Sequence, residues 1–310
     1  MATEPGRRPL PWRTIAVLVV VVLALYYPVG MLWVSRIDDD PGFAAENVPQ
    51  GASHAVATAA ALIDREVNRN RWVANDPFFL PPAALDNMPN FQQGIVAALS
   101  RFAVELTDQI GRTRGSSEVD ADLDKAVGLL KYPGTVWVFD LSTSWAPTAS
   151  SESQYRAAIK ALRRYNERLT EGNAVFERRG DNLLATLDRI AADIGSSSAA
   201  LDRHITEHAG DLVDFAADDL FYSVKGRLYA YSLLLRDLAK DYGRVVNDRD
   251  LDRVWAQMLA TFQAAAALAP PVVENAGVDG LILPNHLAVQ GFYLLRARTQ
   301  LREVTNILLK

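Results

Sequence analysis

Apolar positions along this chain fall into one unbroken block followed by a succession of helical stripes. The block is residues 14–34, TIAVLVVVVLALYYPVGMLWV, which carries no charge. At helical rise it reaches about 30 Å, one hydrocarbon thickness. Backbone amides in lipid are satisfied only in a helix or a closed barrel, so a lone run of this length predicts a transmembrane helix, with Pro28 and Gly30 tolerated inside it. Beyond residue 50 apolar side chains recur every three to four positions. Val56, Ala60 and Ile63 mark a helix over 52–71. Ile95, Leu99, Phe102, Leu106 and Ile110 mark one that resumes at Gly94 and ends at Gly111 and Gly115. Ser117 is a candidate cap for the stripe of Val119, Leu123, Val127 and Leu130.

Further stripes are Tyr155, Ile159, Leu162 and Leu169, then Leu183, Leu187, Ile190 and Ile194, then Leu201, Ile205, His208, Leu212 and Phe215. Val224, Leu228, Tyr231, Leu235, Leu238 and Tyr242 hold a near-heptad register suited to a long bundle helix. Leu251, Val254, Trp255, Met258, Leu259 and Phe262 make another, stopped by Pro270 and Pro271, and residues 286–310 form the last. Only 135–141 and 278–283 read as strands. The predicted fold is therefore mostly α: a single N-terminal transmembrane helix followed by an antiparallel helical bundle, compact or elongated, with at most two short strands.

Charge sets the expected orientation. Arg7, Arg8 and Arg13 precede the span, whereas Arg36 is followed at once by Asp38, Asp39 and Asp40. The basic side stays cytoplasmic, which divides the chain into an arm (1–13), an anchor (14–34), a polar linker (35–50) and an exported helical domain (51–310). A cleaved signal peptide is the rival reading, with Gly42 and Ala44 as small residues for cleavage. The bulky Tyr26, Tyr27, Met31, Leu32 and Trp33 prolong the apolar run and speak for retention.

The chain has 32 basic and 37 acidic residues, and setting the arm aside leaves the exported part more acidic still. Such a balance offers no footprint for nucleic acid. The absence of cysteine removes disulfides, thiol nucleophiles and cysteine-bound metal. No phosphate- or dinucleotide-binding loop is present, and no cofactor is expected.

Three features carry candidate chemistry. His204-Ile205-Thr206-Glu207-His208 has the H-x-x-E-H spacing of inverted zinc peptidases: on a helix both imidazoles face one way, Glu207 is placed to polarise a bound water, and Glu274 is a candidate third ligand. Against it stand the scarcity of strands and the apolar stripe containing His208. Glu118, Asp120, Asp122 and Asp124 alternate like a calcium loop, but Lys125 and Lys131 occupy the positions that need Gly and Glu. Asp211, Asp214, Asp218 and Asp219 line up at three-to-four spacing, as paired carboxylates for glycan chemistry or as a solvated acidic face. Separately, the aromatic- and proline-rich stretch 71–93 is an expected interaction surface, with Trp72, Phe78, Phe79 and Phe91 as apolar anchors and Asn75, Asp76, Asp86 and Asn87 as orienting groups.

Within that stretch Leu85-Asp86-Asn87-Met88-Pro89, with Gly94 soon after, resembles the LDNMP signature of an uncharacterised bacterial envelope family, domain of unknown function 2333. Residues 151–156 (SESQYR), 179–183 (RGDNL) and 195–198 (GSSS) resemble it too. The resemblance implies a single-span inner-membrane protein with a helical periplasmic domain, and supplies no catalytic residue. The leading reading is an interaction or scaffolding protein, held in the bilayer by residues 14–34, with an envelope protein partner and a homo-oligomer admissible. A zinc-dependent hydrolase, or a glycan- or lipid-binding module, are the alternatives.

Overall fold

A computed structural model describes residues 11–34, 36–77, 79–80, 86–114, 119–139, 145–208, 214–270, 272–276 and 284–310. Ten α-helices follow in order among them: α1 Trp12–Val34, α2 His54–Asp64, α3 Asn87–Arg114, α4 Ala121–Leu130, α5 Ser151–Thr170, α6 Gly180–Glu207, α7 Phe215–Asp241, α8 Gly243–Asp248, α9 Asp252–Ala266 and α10 His286–Leu308. A π-helical turn, Arg65–Arg69, continues α2. The described residues contain no strand. Residues 135–139 form turns, with the carbonyls of Val136 and Val138 accepting from Ser151 and Thr148. Residues 278–283 lie outside the described set, and one antiparallel bridge joins Asn275 to Asn285 on either side of them.

The bundle is organised around α7. The expected register residues Val224, Leu228, Tyr231, Leu235, Leu238 and Tyr242 are all buried, and so are Tyr229, Leu233 and Leu234 on its other faces. A helix apolar on every side belongs at the centre, and α7 packs against α2, α3, α6 and α9. Its most extensive partner is α3. There the backbones touch through a reciprocal pair of glycines: a Cβ on Gly94 would land on the Ser223 carbonyl oxygen, and one on Gly226 on the Phe91 carbonyl oxygen. Peripheral helices show one buried stripe each, as the 3.6-residue period requires.

Three boundaries differ from the sequence expectation, each for a local reason. α3 begins at Asn87, about two turns before Gly94. Pro89 sits in its first turn, where the missing N–H has no helical partner to lose. Helix α4 is capped by Asp120, whose carboxylate accepts from the Asp122 and Leu123 amides; Ser117 lies outside the described residues. The stripe of Leu201, Ile205, His208 and Phe215 is not one helix, because α6 ends at Glu207 with His208 as its C-cap and α7 starts afresh at Phe215.

Residues 37–43 of the polar linker expected after α1 are held against the folded body. Lys225 of α7, 1% exposed, donates from Nζ to Asp39 Oδ2 at 2.6 Å and to the Leu268 carbonyl at 2.6 Å. Arg65, also buried, donates to the Asp38 carbonyl and the Tyr229 hydroxyl, each at 2.8 Å, and stacks over Phe43 at 4.6 Å. The Tyr229 hydroxyl donates in turn to the Asp40 carbonyl, and Arg236 to that of Pro41. Ile37 and Phe43 pack against the core. Four consecutive backbone or side-chain positions, 38–41, are thus fixed by side chains of the π-helical turn and α7. The next residues lead into α2, whose amino end is capped by Asp241 of α7: its carboxylate accepts from the Ser53 hydroxyl and from the His54 and Ala55 amides.

Candidate functional site: the amino end of α7

The start of α7 gathers most of the polar groups singled out above. Asp214 caps the helix, its Oδ1 accepting from the Ala217 amide at 3.0 Å. Its Oδ2 meets His204 Nε2 at 2.7 Å and accepts from Asn275 Nδ2 at 3.0 Å. Asn275 is held by Asn285, the N-cap of α10. Burial alone would raise the Asp214 pKa, but hydrogen bonds from Asn275, His204 and Ala217 outweigh it and hold the group below its ordinary value. His208, one helical turn beyond His204, stacks on it with centroids 4.2 Å apart and planes at 19°. The pairing of His204 and His208 is as expected from their spacing. Glu274 is not their third companion: its backbone pairs with His286, and the carboxylate that reaches the two imidazoles belongs to Asp214.

One turn further along α7, Asp218 and Asp219 face the first turn of α3. Asn90 donates to Asp219 at 2.6 Å, and the Asn87 side chain donates to Asp218. Asp218 is pushed up to about 6 by burial and by the charges of Asp86 and Asp219. Asp219 is pushed up to about 6 by burial and by Asp86, which also shares a hydrogen bond with it. Of the signature residues, Asn87 is turned toward Asp218 of α7, whereas Asp86 is exposed and faces Asp219 as a like charge. Asp211 lies outside the described residues. Because these folded pKa values exceed the ordinary 3.8, the cluster's contribution to stability is full at low pH and is lost as pH rises through about 6. We expect Asp219→Asn, which keeps an acceptor for Asn90, to stabilise the fold at pH 7 by about 1 kcal/mol or less, solvent screening setting the limit. The gain should shrink toward about pH 4, as read from melting temperatures across that range.

The aromatic stretch divides between core and surface. Trp72 and Phe91 are buried, Trp72 edge-on to Tyr155 and donating to the Gly134 carbonyl, so neither serves as a surface anchor. Asn75 is buried too and ties the loop to the Val136 carbonyl and Glu152, while Asp76 pairs with Arg71 at 2.7 Å. Phe78 lies outside the described residues. Phe79 is 48% exposed and meets Trp137, which meets Phe139 at 52% exposure. Trp137 and Phe139 fall in the stretch whose pattern reads as a strand, and nothing in that pattern signals the aromatic group they make with Phe79. Two of the alternating aspartates are held by arginines, while Asp124 is exposed. Arg168 holds Asp120 at 2.7 Å and Asp122 at 2.9 Å, and Arg164 adds 3.0 Å to Asp122, which leaves that pair neutralised by guanidinium groups. Glu118 lies outside the described residues.

An all-helical bundle preceded by one helix long and apolar enough to cross a membrane, Trp12–Gly30, is the class of protein these elements define. The chain belongs to the family described as "Uncharacterized protein conserved in bacteria (DUF2333)", which matches residues 8–217. That stretch takes in the apolar helix, the LDNMP segment and the His204–Asp214 cluster. No curated protein and no solved structure matches the chain.

Proposed function

We propose that this protein is a single-span inner-membrane protein whose helical body lies in the periplasm, and that it acts by presenting a contact surface to an envelope partner at a short, fixed distance from the bilayer. The observation that carries the reading is the clamp on residues 38–41. Lys225 of α7 and Arg65 of the π-helical turn bind this stretch to the body, and only residues 35–37 separate it from the end of α1 at Val34. An anchor joined so closely to a rigid body restricts reach, which suits a scaffold better than a tethered enzyme searching for substrate. Phe79 and Phe139, both exposed, with the half-buried Trp137 between them, are the surface proposed to make contact, large aromatics being among the side chains that dominate interfaces.

Orientation is tested by fusing alkaline phosphatase after Lys310. Activity of the fusion in intact cells supports the reading, and a fusion active only when made in the cytosol contradicts it. Contact is tested by a photo-cross-linking residue at position 79 and, as a control, at Arg249 on the exposed α8–α9 turn. Adducts with one envelope protein from position 79 alone are expected. Equal adducts from both positions, or none, would remove the aromatic trio as the interface.

A further inference from the structure

We propose that His204, His208 and Asp214 form a binding site for a divalent transition-metal ion, with zinc as the fitting occupant. Each residue offers one ligand atom, and the three atoms lie within 4.8 Å of one another. Two imidazole nitrogens and one carboxylate oxygen are a common zinc set, and they leave one coordination position open.

Several features prepare these groups for an ion. His208 Nδ1 lies 3.2 Å from the His204 carbonyl oxygen. With Nδ1–H donating there, Nε2 is unprotonated and available, the way a backbone carbonyl commonly fixes the tautomer of a metal-binding imidazole. Asp214 is oriented from two sides, by the Ala217 amide on Oδ1 and Asn275 on Oδ2. The side chains of His204 and Asp214 are 12% and 7% exposed, so an ion between them is shielded from bulk water. His204 Nε2 and Asp214 Oδ2 are 2.7 Å apart, which with an ionised carboxylate makes the imidazole N–H the donor. Tetrahedral zinc, with bonds of about 2.0–2.1 Å, sets neighbouring ligands about 3.3 Å apart. The ion therefore takes the proton's place with an opening of about half an ångström, and that proton goes to solvent. The two rings stack where α6 ends, His204 in its last turn and His208 at its C-cap.

The ion would join the end of α6, the start of α7 and, through Asn275, the segment leading to α10. The Glu207 side chain is exposed at the end of α6, so the site as built is a fastening between elements.

The test uses the full chain without a histidine tag, purified in detergent, stripped with chelator and titrated with Co²⁺ and then Zn²⁺. One equivalent of Co²⁺ should bind with a visible d–d spectrum and be displaced by Zn²⁺. His208→Gln and Asp214→Asn should each weaken binding at least tenfold. Asn is an effective N-cap, so Asp214→Asn should retain the helix content of the parent by circular dichroism. Glu274→Gln should bind as the parent does. No stoichiometric binding would overturn the proposal, as would binding unchanged in both His208→Gln and Asp214→Asn. Loss in Glu274→Gln equal to that in Asp214→Asn would overturn this ligand set.

Discussion

A chain begun at Gly51 should melt on the order of 10 °C below one begun at Arg36, although both contain every residue of the bundle from α2 onward. The difference arises from what residues 37–43 leave behind. Lys225 loses Asp39, keeping only the Leu268 carbonyl. Arg65 loses the Asp38 carbonyl and the ring of Phe43, keeping Glu66 and Tyr229. Removing one partner of a fully buried charged pair costs about 3–5 kcal/mol, an upper bound for Lys225 because the Asp39 side chain is 33% exposed. Water entering the vacated space reduces that, and the lost packing of Ile37 and Phe43 restores part of it. Differential scanning calorimetry of the two purified chains reads the result. Equal melting temperatures would mean that residues 36–50 are a leash after all.

At the crossing of α3 and α7, Gly226→Ala and Gly94→Ala should each cost about 2–4 kcal/mol, above the usual range for overpacking. In both cases the added methyl meets a backbone carbonyl oxygen of the facing helix, which unlike a side chain has no alternative rotamer. The helices must move apart, and every contact along the longest interface of the bundle loosens with them. Alanine's higher helix propensity returns about 1 kcal/mol and does not close the gap. Once one methyl has separated the backbones the second meets less resistance, so the double variant should lose less than the two single losses combined. Gly128→Ala is the control: this glycine of α4 has nothing within 4 Å of an added Cβ, and the change should stabilise by up to about 1 kcal/mol. Urea midpoints of the four chains decide between these outcomes.

Much of the bundle was legible because helical burial leaves a periodic trace. The Val224–Tyr242 stripe became the central helix in the expected register, and the i, i+4 spacing of His204 and His208 did bring their rings together. The unread features depend on residues distant in the chain. Lys225 looks like any lysine on a long helix, and nothing near it in sequence hints at Asp39, 186 positions away. The third member of the histidine cluster was sought at Glu274 by residue type alone, whereas Asp214 arrives through the reversal between α6 and α7. In residues 71–93 aromatic density was plain, but density does not tell which ring a neighbouring element will cover. Trp72 is sealed beneath Tyr155 and the Gly134 carbonyl, and Phe91 beside Tyr229. Phe79 alone of the described rings in that stretch stayed outside, because its neighbours Trp137 and Phe139 lie on a surface turn.

Everything proposed about reach and presentation depends on Asp39 being bonded to Lys225 in the folded protein. A double-mutant cycle with Asp39→Asn and Lys225→Met, made in the chain begun at Arg36 and followed by urea unfolding, measures that bond without disturbing the bundle's connectivity. A coupling free energy of about 1–3 kcal/mol is predicted. Single effects that add to within about 0.3–0.5 kcal/mol would contradict it, since two groups that never meet have nothing to lose together.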